Sequence, residues 1–164
     1  MADEHSSQPA AQEGAAEQAS GPIFSIKRVY VRDMSFEVPA GLAAFSLPGQ
    51  PHVGQDVGSK VNKVNDTHYE VILNITVTIK MDEDKVAFLA EVQQAGLFEV
   101  SGLEEAQLQH LLSTMCPQIL FPYAREAIDN MATRGGFAPV SLPHMNFEAL
   151  YAQAMEQAKT ETKN

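Results

Sequence analysis

From residue 69 to residue 79 every second position is apolar. Tyr69, Val71, Leu73, Ile75, Val77 and Ile79 form one row, and Glu70, Asn74, Thr76, Thr78 and Lys80 fall between or just beyond them. Alternation of this length predicts a β-strand with one face on the core and one toward solvent. Asp82, Glu83 and Asp84 then supply a polar turn, and residues 86–100 resume as a second long strand. Two long strands joined this closely make an antiparallel hairpin. A further strand is expected over about residues 24–38, with Phe24, Ile26, Tyr30, Met34, Phe36 and Val38 on one face and Asp33, Ser35 and Glu37 on the other. A weaker strand is expected near residues 57–64.

The period changes after residue 100. Ser101 and Glu104 have the spacing of a capping box, and Leu108, Leu111, Leu112 and Met115 follow as one helical face. Pro117 lacks an N–H and disfavours helical geometry at Cys116, so a break or kink is predicted there. A second stripe, Ala124, Ala127, Ile128 and Met131, follows Pro122, which can open a helical turn, and Gly135 and Gly136 end it. A last helix should start at Asn146 as N-cap, with Phe147, Leu150, Tyr151 and Ala154 on one face. Strands first and helices afterwards predict an α+β fold.

The ends of the chain differ from this middle. Residues 1–22 carry four acids and no Lys or Arg, and are rich in Ala, Gln, Glu, Ser and Gly. Such a segment buries too little to offset its ordering entropy, so it is expected to be a disordered acidic tail. Residues 156–164 are expected to fray as a flexible C-terminal tail, which leaves residues 23–155 as the folded domain.

Composition narrows what that domain can do. A net charge of −10 without a basic stripe argues against nucleic acid and anionic membrane as partners, and favours basic or mixed-charge proteins. The single cysteine, Cys116, can form no intrachain disulfide and reads as a buried structural thiol. No secretory leader and no apolar run of about 20 residues is present, which points to a cytoplasmic protein. The five histidines are scattered without metal-ligand spacing, and neither a phosphate-binding Lys loop nor a nucleophile elbow occurs. No catalytic residue, metal site or cofactor is therefore expected. Residues 38–53 remain conspicuous, because Leu42, Phe45 and Leu47 sit in a stretch punctuated by Pro and Gly. They either tuck onto the core or form apolar surface of their own.

Five segments in order carry a family resemblance: RVYVRDMSFEVP over residues 28–39, YEVILNITVT over 69–78, AEVQQAGLF over 90–98, CPQILFPYARE over 116–126, and VSLPHMNFEALY over 140–151. Together they resemble SecB, the bacterial export chaperone family. The resemblance implies a four-stranded antiparallel sheet with a long kinked helix and a C-terminal helix packed on one face. It implies an ATP-independent holdase that keeps preproteins unfolded and passes them to the export motor SecA. The client groove would involve Leu42, Phe45, Leu47, Phe147 and Tyr151, although the tryptophan common in the family's loop is missing here. Asp33, Glu37, Leu89 and Glu91 match the flat acidic surface that receives SecA's basic, zinc-bearing C-terminal tail, so any zinc belongs to the partner. Ala90, Val92 and Gln94 match positions that affect assembly into a homotetramer, a dimer of dimers; by pattern alone they are core, with Gln94 at its rim. A relative dedicated to an antitoxin, or a general holdase, is the alternative; retention of the four SecA-type positions favours export.

Overall fold

The computed structural model describes residues 21–81 and 85–161. The acidic residues 82–84, and the proposed tail apart from Gly21 and Pro22, lie outside the described residues. Four strands, β1 (Ile23–Glu37), β2 (His52–Lys63), β3 (His68–Lys80) and β4 (Val86–Ser101), form one antiparallel sheet in the order β1-β4-β3-β2. A short 3-10 helix, Gly41–Ser46, joins β1 to β2. Three helices follow the sheet: α1 (Glu105–Ser113), α2 (Met115–Arg134) and α3 (Phe147–Glu161).

The alternating row of β3 becomes the centre of the core. Val71, Leu73, Ile75 and Val77 are buried and pair across the ladder with Gly96, Gln94, Val92 and Ala90 of β4. Leu120, Ala124, Ile128 and Ala132 of α2 are buried in the same cluster, and α2 lies against β3 and β4. Gly96 allows this approach, because a Cβ there would stand 2.9 Å from Leu120 and 2.7 Å from the Phe98 ring. Burying such side chains at roughly 25 cal/mol per Å² is the main term holding α2 on the sheet.

Strand β1 departs from simple alternation. Its register against β4 shifts between Ile26 and Arg28 and again between Val31 and Asp33. Each bulge reverses the phase of the side chains, and the second restores what the first changed. Val29 and Val31 therefore share the helix side with Phe24 and Phe36, while Tyr30 points to the opposite face and not, as the pattern suggested, along with Phe24 and Ile26. Strand β2 begins at His52, five residues before the expected start. Its apolar positions recur as Val53, Val57 and Val61, opposite Ile79, Ile75 and Val71, so partner pairing and not its own pattern defines it.

The helices also differ in detail. The capping pair of α1 is Glu104 with Gln107 and does not involve Ser101, which remains in β4 and is followed by a turn at Gly102. The break falls at Thr114, whose ψ of −68 at φ −121 leaves the helical path. Pro117 then sits in the first turn of α2, where a missing N–H is no loss. Pro122 lies inside α2 and does not open it. Gln118, whose carbonyl it leaves unpaired, is exposed, so water can serve in place of the lost bond. Gly136, at φ +87, closes α2 in a Schellman arrangement in which Phe137 N–H donates to Ala132 at 2.9 Å and Gly136 N–H to Thr133 at 3.1 Å. Asn146 caps α3 by accepting from Ala149 N–H at 3.0 Å. That helix runs to Glu161, beyond residue 156, and its last described turns are exposed and rich in good helix formers.

Candidate functional site

Two surfaces on opposite sides of the sheet hold the candidate residues. On the face away from the helices, the β1 bulges each add a cation. Lys27 Nζ lies 2.6 Å from Glu99, and Arg32 donates to both oxygens of Glu70 at 3.1 Å. Tyr30 and Asn62 also donate to Glu70, the latter at 2.8 Å. The Tyr30 hydroxyl and the Asn62 amide, with Arg32 beside them, hold the Glu70 carboxyl below its usual range, and the same carboxylate raises the Tyr30 phenol. One end of this face is thus a neutralised polar node spanning β1, β3 and β2. The pattern of apolar positions gave no hint of it, because only the bulges bring Tyr30 and Glu70 together.

At the other end lie Asp33, Glu37, Leu89 and Glu91. Glu91 stands opposite Ser35, between Asp33 and Glu37 on β1, and Leu89 stands opposite Glu37. Ser35 and Thr76 hydroxyls donate to the two oxygens of Glu91 at 3.4 and 3.3 Å. These neutral donors orient the carboxylate without cancelling its charge. Among the described residues no cation is paired with Asp33 or Glu37. The four sequence-singled residues are therefore one contiguous patch: three exposed acids around a half-buried leucine.

The helix side carries several cavities, and two of them take in candidate residues. One, of about 540 Å³, is lined by Phe45, Leu47, Val53, Phe88 and residues 136–140. Phe45 stacks on Phe137 with ring centres 4.8 Å apart, and Phe137 contacts Phe88 at 4.7 Å. The second, of about 410 Å³, lies between β2 and α3 and is lined by Val57, Gly58, Ser59, Phe147, Leu150 and Tyr151. Leu42 lines neither cavity and is 87% exposed. Phe147 is 5% exposed and meets Phe121 edge-on at 5.9 Å, so it is chiefly a core anchor for α3. Tyr151 is held by an edge contact with His110, whose Nε2 is 2.8 Å from Glu148. Phe137 was missed in the sequence; its place directly after the Gly135–Gly136 helix stop was the available signal.

Ala90, Val92 and Gln94 are buried inside the protomer, at 0, 1 and 2% exposure. Gln94 is not at the rim: its amide donates to the Tyr30 carbonyl at 2.9 Å, between the two bulges, and so is satisfied in the interior. Exposed apolar groups lie instead on the neighbouring edge strand, at Ile26, Val31 and Met34. Burial alone pushes the Cys116 thiol up to about 12, which leaves it protonated and unreactive at neutral pH. Among the described residues no group of His, Cys, Asp or Glu is arranged to hold a metal ion, and no helix is long and apolar enough to cross a membrane.

Comparison with known proteins identifies the family. Residues 17–158 match the family described as "SecB: Preprotein translocase subunit SecB". A "Protein-export protein SecB" from Saccharophagus degradans is 66% identical over 148 residues, which is 90% of this chain and 88% of the relative. A protein of the same name from Cellvibrio japonicus is 45% identical over 163 residues, 99% of this chain and 94% of the relative. Among solved structures, a SecB-like chaperone of Mycobacterium tuberculosis, in complex with a peptide from an antitoxin, superposes with a TM-score of 0.57 at 17% identity, covering 75% of this chain and 91% of that one. At that identity the likeness is one of fold.

Proposed function

The chain belongs to the SecB family and is a preprotein-export chaperone, and from this premise we propose how its two surfaces divide the work. The helix side holds unfolded preproteins without ATP. Extended client segments lie along β2, placing apolar side chains in the two cavities. Among the described residues the outer edge of β2 has no neighbour in the sheet, so client backbone can add hydrogen bonds there with little regard to sequence. Holding is then by mass action, and a client that folds fast escapes capture.

The opposite face delivers the client. Asp33, Glu37 and Glu91 attract the basic, zinc-bearing C-terminal tail of SecA, and Leu89 adds apolar contact at the centre of the patch. The observation that carries this reading is the uneven charge of the outer face: Glu70 and Glu99 are neutralised by bulge cations, whereas Asp33 and Glu37 are not. A cationic segment therefore has one favoured seat. Work takes place in the cytoplasm on a homotetramer assembled through β1, whose outer edge, unpaired among the described residues, and exposed Ile26, Val31 and Met34 need covering. Ala90, Val92 and Gln94 influence assembly from beneath, by setting the positions of the β1 residues they pair with.

Calorimetric titration with the zinc-loaded SecA tail tests the delivery half. Binding should weaken as salt rises and vanish when Glu37 and Glu91 are both changed to Lys, with client holding retained. Unchanged affinity in that variant would remove the patch from the account.

A further inference from the structure

The segment joining α2 to α3 lines the 540 Å³ cavity and leads directly into α3, which lines the 410 Å³ one, and one residue in it is strained. Ser141 has φ of +53, the only positive value at a described residue other than glycine. L-residues disfavour this left-handed region, and Ser has no special tolerance of it. Two side chains from successive turns of α2 hold the segment there. Asp129 Oδ1 accepts from Ser141 N–H at 2.8 Å, and Arg125 donates to the Leu142 carbonyl at 3.3 Å. The turn so enforced sends Leu142 into the core at 2% exposure. Just before it, Val140 closes the larger cavity; just after it, Phe147 and Tyr151 line the smaller one.

From this geometry we propose that Asp129, with Arg125, is a positioning residue for client binding: it clamps the α2–α3 connection in a strained turn that fixes the walls of both cavities. The inference rests on the reading of those cavities as the client site. Asp129 and Arg125 line neither of these two cavities but a separate one of about 640 Å³ on α2, so toward the proposed client site Asp129 acts through Ser141. Loss of its acceptor leaves the strain at Ser141 unopposed, so the turn relaxes, Leu142 loosens, and the cavity walls lose their spacing.

Four variants of the full-length protein test this: D129A, D129N, S141G and the double variant D129A/S141G. Ala is well tolerated in a helix, and Asn keeps an acceptor oxygen. Binding of a reduced, carboxymethylated polypeptide that stays unfolded is the readout, alongside hydrogen exchange over residues 138–145. D129A should weaken client binding about five-fold, as expected for one hydrogen bond on the scale where 1.4 kcal/mol is tenfold, and should speed exchange in the segment. D129N and S141G should stay within about two-fold of the parent. The double variant should recover, because Gly adopts the turn without strain. SecA-tail binding on the far face should be the same in all four. Unchanged client affinity in D129A, or a loss that S141G does not repair, would overturn the proposal. Phe45→Ala serves as the control for the cavities: if it leaves client binding intact, the client-site reading itself fails, whatever Asp129 does.

Discussion

On the helix side of the sheet, β3 and β4 present Leu73, Ile75, Val77, Val92 and Phe98, all buried under α2. On the other side the same two strands present Glu70, Thr76, Leu89 and Glu91 around a small buried pair, Ile72 and Ala95, and polar contacts dominate. The difference teaches why the faces answer differently to mutation. A packed face specifies shape, and its energy is lost wherever a methylene is removed. A polar face is held by a few directional bonds, and away from those its residues are left to choose a partner.

The comparison breaks most sharply at Leu120, which is fully buried against β4 at Gly96. Leu120→Ala should destabilise by about 2–5 kcal/mol in urea unfolding, since transfer and cavity terms add. A loss below about 1 kcal/mol would mean that α2 is not the principal lid on the sheet.

The polar node should give an intermediate effect. Glu70→Gln weakens the contacts with Arg32 and Tyr30 and should lower stability by roughly 1–2 kcal/mol. Its pH dependence has a defined sign. Glu70's carboxyl lies below its unfolded value of about 4.3, so its stabilisation is complete above that value and is lost as pH falls through the lower folded one. Unfolding curves between neutral and acid pH should therefore converge for the parent and Glu70→Gln at low pH. Curves that stay parallel would assign the stability to some other carboxylate.

Much of this was legible in the sequence, for physical reasons that also set its limits. The rows of β3 and β4 could be read because burial on one face imposes a period of two, and Asn146 because a cap is a local signal. Tyr30 was misplaced because a bulge is a defect in pairing, which leaves no mark on the apolar pattern of its own strand. Pro122 was read as a start because its steric rule is local, whereas the exposed position of Gln118 one turn before it is a property of the fold. Asp33 with Glu37, and Leu89 with Glu91, could be paired in advance because spacing by four or two along a strand fixes the face, whereas their union in one patch was implied by the family resemblance alone. The cavities could not be read in advance: Phe45 and Phe137 meet only once the α2–α3 connection folds back over β4.

The smallest change in stability should come from the acidic patch. Glu37→Lys with Glu91→Lys removes no packing and should alter unfolding by less than about 1 kcal/mol, while its effect on partner binding is the largest of all. Phe45→Ala should do the reverse on the opposite side, weakening client capture several-fold with SecA-tail binding unchanged. If either variant impaired both activities alike, the faces would not be independent.

Independence of the faces is tested most directly by titrating the zinc-loaded SecA tail into protein already saturated with an unfolded client. The two-surface account predicts the same tail affinity as for the empty chaperone, with client still bound at the end of the titration. Displacement of client by the tail peptide alone, or loss of tail binding in the client complex, would place both ligands on one surface and contradict it.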